Sequence, residues 1–131
     1  MQRILVIDDE PFVQEALKRV LSPTAAVIVA STADAGLISM REAPVDLVII
    51  DVVLPGMDGV AAIKLIRRDY PAVRIIAISG GGNFGLNSYL PDAISTTAYL
   101  AACKAAGANG TLAKPFETAE LRSLIHQVQA A

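Results

Sequence analysis

The sequence predicts one α/β domain, a doubly wound, five-stranded parallel sheet with helices on both faces. Three observations predict it. Apolar runs of strand length alternate with helical patterns five times along the 131 residues, and strict βα alternation means parallel strands joined by right-handed crossovers. The hydrophobic fraction is 53% and the mean hydropathy is +0.50, as expected of strands that are apolar on both faces. Carboxylate, hydroxyl and ammonium groups stand at the ends of the apolar runs, where such a sheet binds its ligands.

The first strand is expected near 3–7, Arg3-Ile4-Leu5-Val6-Ile7, and runs straight into Asp8 and Asp9. The first helix opens at Pro11, a favoured first-turn residue. Its apolar stripe, Val13, Ala16, Leu17, Val20 and Leu21, has the spacing of a core-facing side. A second strand near 26–30 leads to a helix over about 33–43, with Thr32 as its cap and Gly36 weakening it. The third strand, near 46–50, ends in Asp51. Pro55-Gly56 and Asp58-Gly59 supply turn chemistry before a helix over about 58–69 that carries Val60, Ile63 and Ile66. The fourth strand, near 73–78, ends in Ser79. An alanine-rich helix over about 93–106 stops at Gly107. The last strand, near 109–113, ends in Lys114-Pro115, and a helix over about 117–129 buries Leu121, Leu124, Ile125 and Val128.

Composition removes several function classes. No apolar run reaches the ~20 residues of a membrane-spanning helix, and the N-terminus lacks a signal-peptide layout. Net charge is −2 with both signs scattered, so no nucleic-acid surface is expected. The single Cys103 cannot form an internal disulfide, which fits a cytoplasmic chain, and reads as a small core residue. His126 lies off the apolar stripe of the last helix and is expected on the surface. No linker or repeat divides residues 1–131, so one domain without an output domain is expected.

Neighbouring strands ending in Asp8, Asp9 and Asp51 would gather three carboxylates at one sheet edge. Three anions so close require a cation, and Mg²⁺ suits all-oxygen ligands. With Ser79 and Lys114 at two further strand ends, these residues form a set suited to phosphoryl transfer.

Four pieces also carry a resemblance: Val6-Ile7-Asp8-Asp9-Glu10, Asp51-Val52-Val53-Leu54-Pro55-Gly56-Met57-Asp58-Gly59, Ile78-Ser79-Gly80, and Leu112-Ala113-Lys114-Pro115-Phe116. In this order they make the chain resemble the receiver domain of bacterial response regulators over essentially its whole length. The resemblance implies a flavodoxin-like sheet of order 2-1-3-4-5. It makes Asp51 the phosphoacceptor, Asp9 a direct Mg²⁺ ligand, Asp8 a ligand acting mostly through water, and Val53 the donor of a backbone carbonyl. Lys114 becomes the counter-ion, first of Asp51 and then of the phosphoryl group, and the Ser79 hydroxyl bonds a phosphoryl oxygen. Pro115 stands where the family places a cis peptide. Implied partners are a sensor histidine kinase or histidine phosphotransfer protein and a downstream protein target, with the chain a monomer or weak homodimer.

Two departures accompany the resemblance. Receivers usually carry Tyr or Phe three residues before the lysine; here Thr111 occupies that position and cannot fill an aromatic-sized pocket. Residues 80–92 also form a long segment between Ser79 and the fourth helix, against the ~2–6 residues usual for such a loop. It reads either as an enlarged loop that reports phosphorylation or as a tolerated insertion on the surface. The departures sustain an alternative function, a receiver-like interaction module that works without phosphorylation. A phosphohydrolase would need an acid where Val53 stands, and a flavin site would need a phosphate cradle where Asp8-Asp9-Glu10 would repel phosphate.

Overall fold

The computed structural model describes residues 2–54, 57–79 and 92–130, with side chains from residue 98 onward in the last span. Among the described residues five strands and five helices alternate: β1 (Gln2–Ile7), α1 (Pro11–Leu21), β2 (Ala25–Ala30), α2 (Ala33–Glu42), β3 (Leu47–Asp51), α3 (Gly59–Asp69), β4 (Arg74–Ser79), α4 (Asp92–Ala106), β5 (Gly110–Ala113) and α5 (Thr118–Ala130). The strands form one sheet of order β2-β1-β3-β4-β5, and every neighbouring pair is parallel. The expected order and the doubly wound topology are what the chain adopts.

Alternation along each strand builds two cores, because successive side chains leave a strand on opposite faces. One face buries Leu5, Ile7, Val48, Ile50, Ile75 and Ala77 against Met40 of α2, Ile63 and Ile66 of α3, and Cys103 of α4. The other buries Ile4, Val6, Leu47, Ile49, Ile76 and Ile78 against Leu17 and Leu21 of α1 and Leu121 and Val128 of α5. Each fully buried Ile or Leu contributes about 1.5–3 kcal/mol relative to exposure. Every residue of β3 is buried, so the strand bearing Asp51 is a fixed platform.

Helix starts follow local chemistry. The Thr32 hydroxyl accepts from the Ala35 N–H at 3.0 Å, capping α2 as the sequence predicts. Gly36, expected only to weaken α2, has a packing reason: a Cβ there would clash with Ile7 Cδ1. Its absence lets α2 lie close on β1. Asp58 caps α3, its carboxylate accepting from the Val60 N–H at 2.8 Å. Residues 55 and 56, half of the expected turn, lie outside the described residues. Gly107 ends α4 with φ +127°, and the Gly107 and Ala108 N–H groups both donate to the Cys103 carbonyl.

Candidate functional site at the switch point of the sheet

The chain crosses to opposite sides of the sheet after β1 and after β3, which are adjacent. Their carboxyl ends flank the switch-point crevice. Asp8 and Asp9 follow β1 directly, and Asp51 is the last residue of β3. Ligand oxygens of these three lie within 4.8 Å of one another. Asp8 and Asp51 are buried, whereas Asp9 is exposed.

Backbone groups fix both buried carboxylates. The Glu10 N–H donates to Asp8 Oδ1 at 2.9 Å, and the Val53 N–H donates to Asp51 Oδ1 at 2.9 Å. The Asp8 N–H bonds the Ala30 carbonyl of β2, and the Gln14 side-chain amide donates to the Asp8 carbonyl. Gly59 sets the approach of α3. A Cβ there would meet Val52 Cα at 2.5 Å and the Asp51 carbonyl oxygen at 2.8 Å. Only glycine lets the helix begin against the backbone that carries Asp51.

Lys114 reaches the same place from β5. Ser79 pairs in register with Ala113, and the Lys114 N–H donates to the Ser79 carbonyl at 2.7 Å. The ladder thus extends to the lysine, beside buried Ser79. The Lys114 ammonium contacts Asp8 Oδ2 at 2.9 Å, Glu10 Oε1 at 3.0 Å and Asp51 Oδ2 at 3.0 Å. Its three protons match these three carboxylates. The Lys114–Pro115 peptide is cis, as the resemblance implies.

Electrostatics follow from this geometry. Burial pushes the Asp51 carboxyl up to about 6, and the charge of Asp8 adds to the rise; the Val53 N–H and the Lys114 ammonium oppose it. Burial disfavours charge on Lys114 too, but Asp51 and Asp8 outweigh it, and its pKa is raised. The lysine therefore stays charged at neutral pH and offsets part of a site rich in anions.

The structure brings together Asp8, Asp9, Asp51 and Lys114, with Ser79 on the adjoining strand end. Val53 is 53% exposed beside them, and its N–H is already committed to Asp51. Thr111 is half-buried in β5 opposite Ala77, so no aromatic ring occupies that position. The long segment 80–91 lies outside the described residues. Sequence reasoning missed Glu10 as a partner of Lys114 and Gln14 as a brace under Asp8. Glu10 was visible only as the third acid of a run.

Asp8, Asp9 and Asp51 fit Mg²⁺: they offer hard carboxylate oxygens close enough to share one octahedral ion. An acid cluster and a lysine thus stand at the switch point of a 2-1-3-4-5 sheet, where doubly wound α/β domains bind their ligands. The chain belongs to the response regulator receiver domain family, whose model matches residues 4–126. It is thus a receiver domain of two-component response regulators. It is 36% identical over 84 residues to a probable C4-dicarboxylate response regulator of Halalkalibacterium halodurans, covering 62% of this chain and 36% of that protein. It is 33% identical over 82 residues to the response regulator GacA of Pseudomonas viridiflava, covering 60% of this chain and 38% of that one. The matches thus span well under half of those relatives. Among solved structures, a receiver domain protein from Clostridium thermocellum superposes with a TM-score of 0.81 at 25% identity, covering 98% of this chain and 94% of that one. A LuxR-family two-component response regulator from Aurantimonas gives 0.79 at 30% identity, with 98% and 84% covered. Among the described residues no helix is long and apolar enough to cross a membrane.

Proposed function

We propose that this chain is a phosphoacceptor receiver whose nucleophile is Asp51. A carboxylate oxygen of Asp51 attacks the phosphorus of a phosphohistidine on a sensor histidine kinase or phosphotransfer protein. The P–O bond forms as the P–N bond breaks, and the electron pair leaves with the imidazole nitrogen. Catalysis here is positioning and charge neutralisation. Mg²⁺ held by Asp8, Asp9, Asp51 and the Val53 carbonyl would neutralise phosphoryl oxygens. Lys114 passes from the Asp51 carboxylate to the new phosphoryl group as a mobile point charge. The Ser79 hydroxyl donates to another phosphoryl oxygen. The chain turns over no separate substrate on this reading. Residues 1–131 act as one cytoplasmic receiver unit, and output passes to a downstream protein by contact.

One observation carries the reading: Lys114 Nζ stands 3.0 Å from Asp51 Oδ2, where Asp51 shares a metal-sized cluster with two further carboxylates. The test is intact mass after incubation with Mg²⁺ and acetyl phosphate. The expected result is one added phosphoryl group, lost in Asp51→Asn and lost without Mg²⁺. No adduct on the folded, Mg²⁺-loaded chain, in a time course fast enough to catch a short-lived ester, would leave the phosphorylation-independent interaction module instead.

A further inference from the structure

Among the described residues, the Lys114 ammonium has one partner outside the metal cluster. Glu10 Oε1 accepts from its ammonium at 3.0 Å, yet the carboxylates close enough to share an ion are Asp8, Asp9 and Asp51. The Glu10 side chain is 44% exposed, against 2% for Asp8 and 5% for Asp51. Glu10 therefore stands at the mouth, between solvent and the lysine that would meet an incoming phosphoryl group.

The charge balance gives this position a consequence. Among the described residues the site gathers four carboxylates and one ammonium, an excess of negative charge. A divalent cation on the three aspartates leaves one net negative charge, and Glu10 is the acid left over. Glu10 thus attracts Mg²⁺ but repels any free anion that approaches Asp51. Its distance from a phosphoryl group bound to the same ammonium is about two hydrogen-bond lengths, on the order of 5–6 Å. Across partly solvated space, a unit charge at that range changes the affinity of a small ion by about three- to tenfold.

We propose that Glu10 is a specificity-determining residue. It strengthens Mg²⁺ binding and slows phosphorylation by small anionic phosphodonors. Protein donors, whose docking surfaces supply their own binding energy, keep the advantage. This rests on the phosphoacceptor reading above.

The test compares wild type with Glu10→Gln and Glu10→Asp, after urea unfolding has established that all three fold. Calorimetric titration of the unphosphorylated proteins with Mg²⁺ should show Glu10→Gln binding about three- to tenfold more weakly. At saturating Mg²⁺, the second-order rate with acetyl phosphate should instead rise about three- to tenfold. The rise should be smaller with phosphoramidate, which carries less net charge, and should shrink as NaCl is added. Glu10→Asp keeps the charge and should return both values toward wild type. A purely structural contribution would move metal affinity and rate in the same direction. Slower phosphorylation in Glu10→Gln, or no change in either quantity, would overturn the proposal. Failure of wild type to take up phosphate under any of these conditions would overturn the phosphoacceptor reading itself, whatever the Mg²⁺ titrations give.

Discussion

Replacing Asp51 by Asn should make the metal-free protein more stable. The perturbation removes one negative charge from a buried site and keeps the side-chain shape. The carboxyl is raised from 3.8 to about 6, chiefly by burial and further by Asp8. Lys114 keeps Asp8 and Glu10 as partners in the variant, so no buried charge is orphaned. A rise of that size corresponds to about 3 kcal/mol of cost carried by the ionised form, or an increase of about 10 °C in Tm for a domain this long. The sign follows from proton counting. Between 3.8 and about 6 the folded state holds a proton that the unfolded state has released, so wild-type stability falls as pH rises through that window. Above it the cost is fully present, and on acidification it disappears. The assay is urea unfolding of both proteins in EDTA, at about pH 7.5 and again at about pH 4.5. The variant should be the more stable at the higher pH, by up to about 3 kcal/mol, with the gap closing at the lower. Saturating Mg²⁺ should narrow the gap as well, because an ion that binds the native state stabilises it and wild type binds it better. An Asp51→Asn protein no more stable than wild type at neutral pH in EDTA, or a gap indifferent to pH, would refute the reasoning.

Three further outcomes can be measured in parallel. Lys114→Met should cost the metal-free protein about 3–5 kcal/mol by leaving Asp8 and Asp51 buried without their counter-ion, and Mg²⁺ should restore much of it in the urea midpoint. Gly59→Ala places a Cβ inside contact distance of the Asp51–Val52 backbone; it should cost about 1–3 kcal/mol and weaken Mg²⁺ binding by calorimetry, since the clash displaces the strand end that carries Asp51. Cys103 is fully buried and burial pushes its thiol up to about 11, so labelling by a thiol reagent at neutral pH should follow the opening rate of the native state and accelerate in urea.

The fold was legible because the strands are apolar on both faces. Runs such as Leu5-Val6-Ile7 and Val48-Ile49-Ile50 have no solvent face to blur their limits, and a sheet of that kind needs helices on both sides. The site was legible for a related reason. Asp8, Asp51, Ser79 and Lys114 interrupt or follow apolar runs where a polar residue has no core to serve, and the parallel topology sends all those ends to one edge. What local pattern could not show is which of these groups touch. That depends on register: Asp51 opposite Ile78 and Ser79 opposite Ala113 put Lys114 one residue past the last matched pair, at the sheet end that carries the acids.

The same dependence on register explains the contacts that escaped the sequence. Glu10 and Lys114 are 104 positions apart, and nothing local to either names the other. Arg67 is the clearest case. In the sequence it is one of two basic residues ending α3, an ordinary complement to the helix dipole. In the fold its guanidinium donates to the carbonyls of Pro71, Val73 and Gly107 and to the Asn109 side chain. Asn109 in turn accepts from the Ile75 N–H at 2.8 Å. A planar fork of fixed donors can close such a cluster, where a lysine would leave carbonyls unpaired. Arg67 thus ties α3, β4 and the entry to β5 together at the opposite end of the sheet from Asp51. Lys114, at the far end of β5, depends on that entry for its register with Ser79. The lysine is therefore aimed by contacts at both ends of a four-residue strand, of which only the end that bears the chemistry announces itself in the sequence.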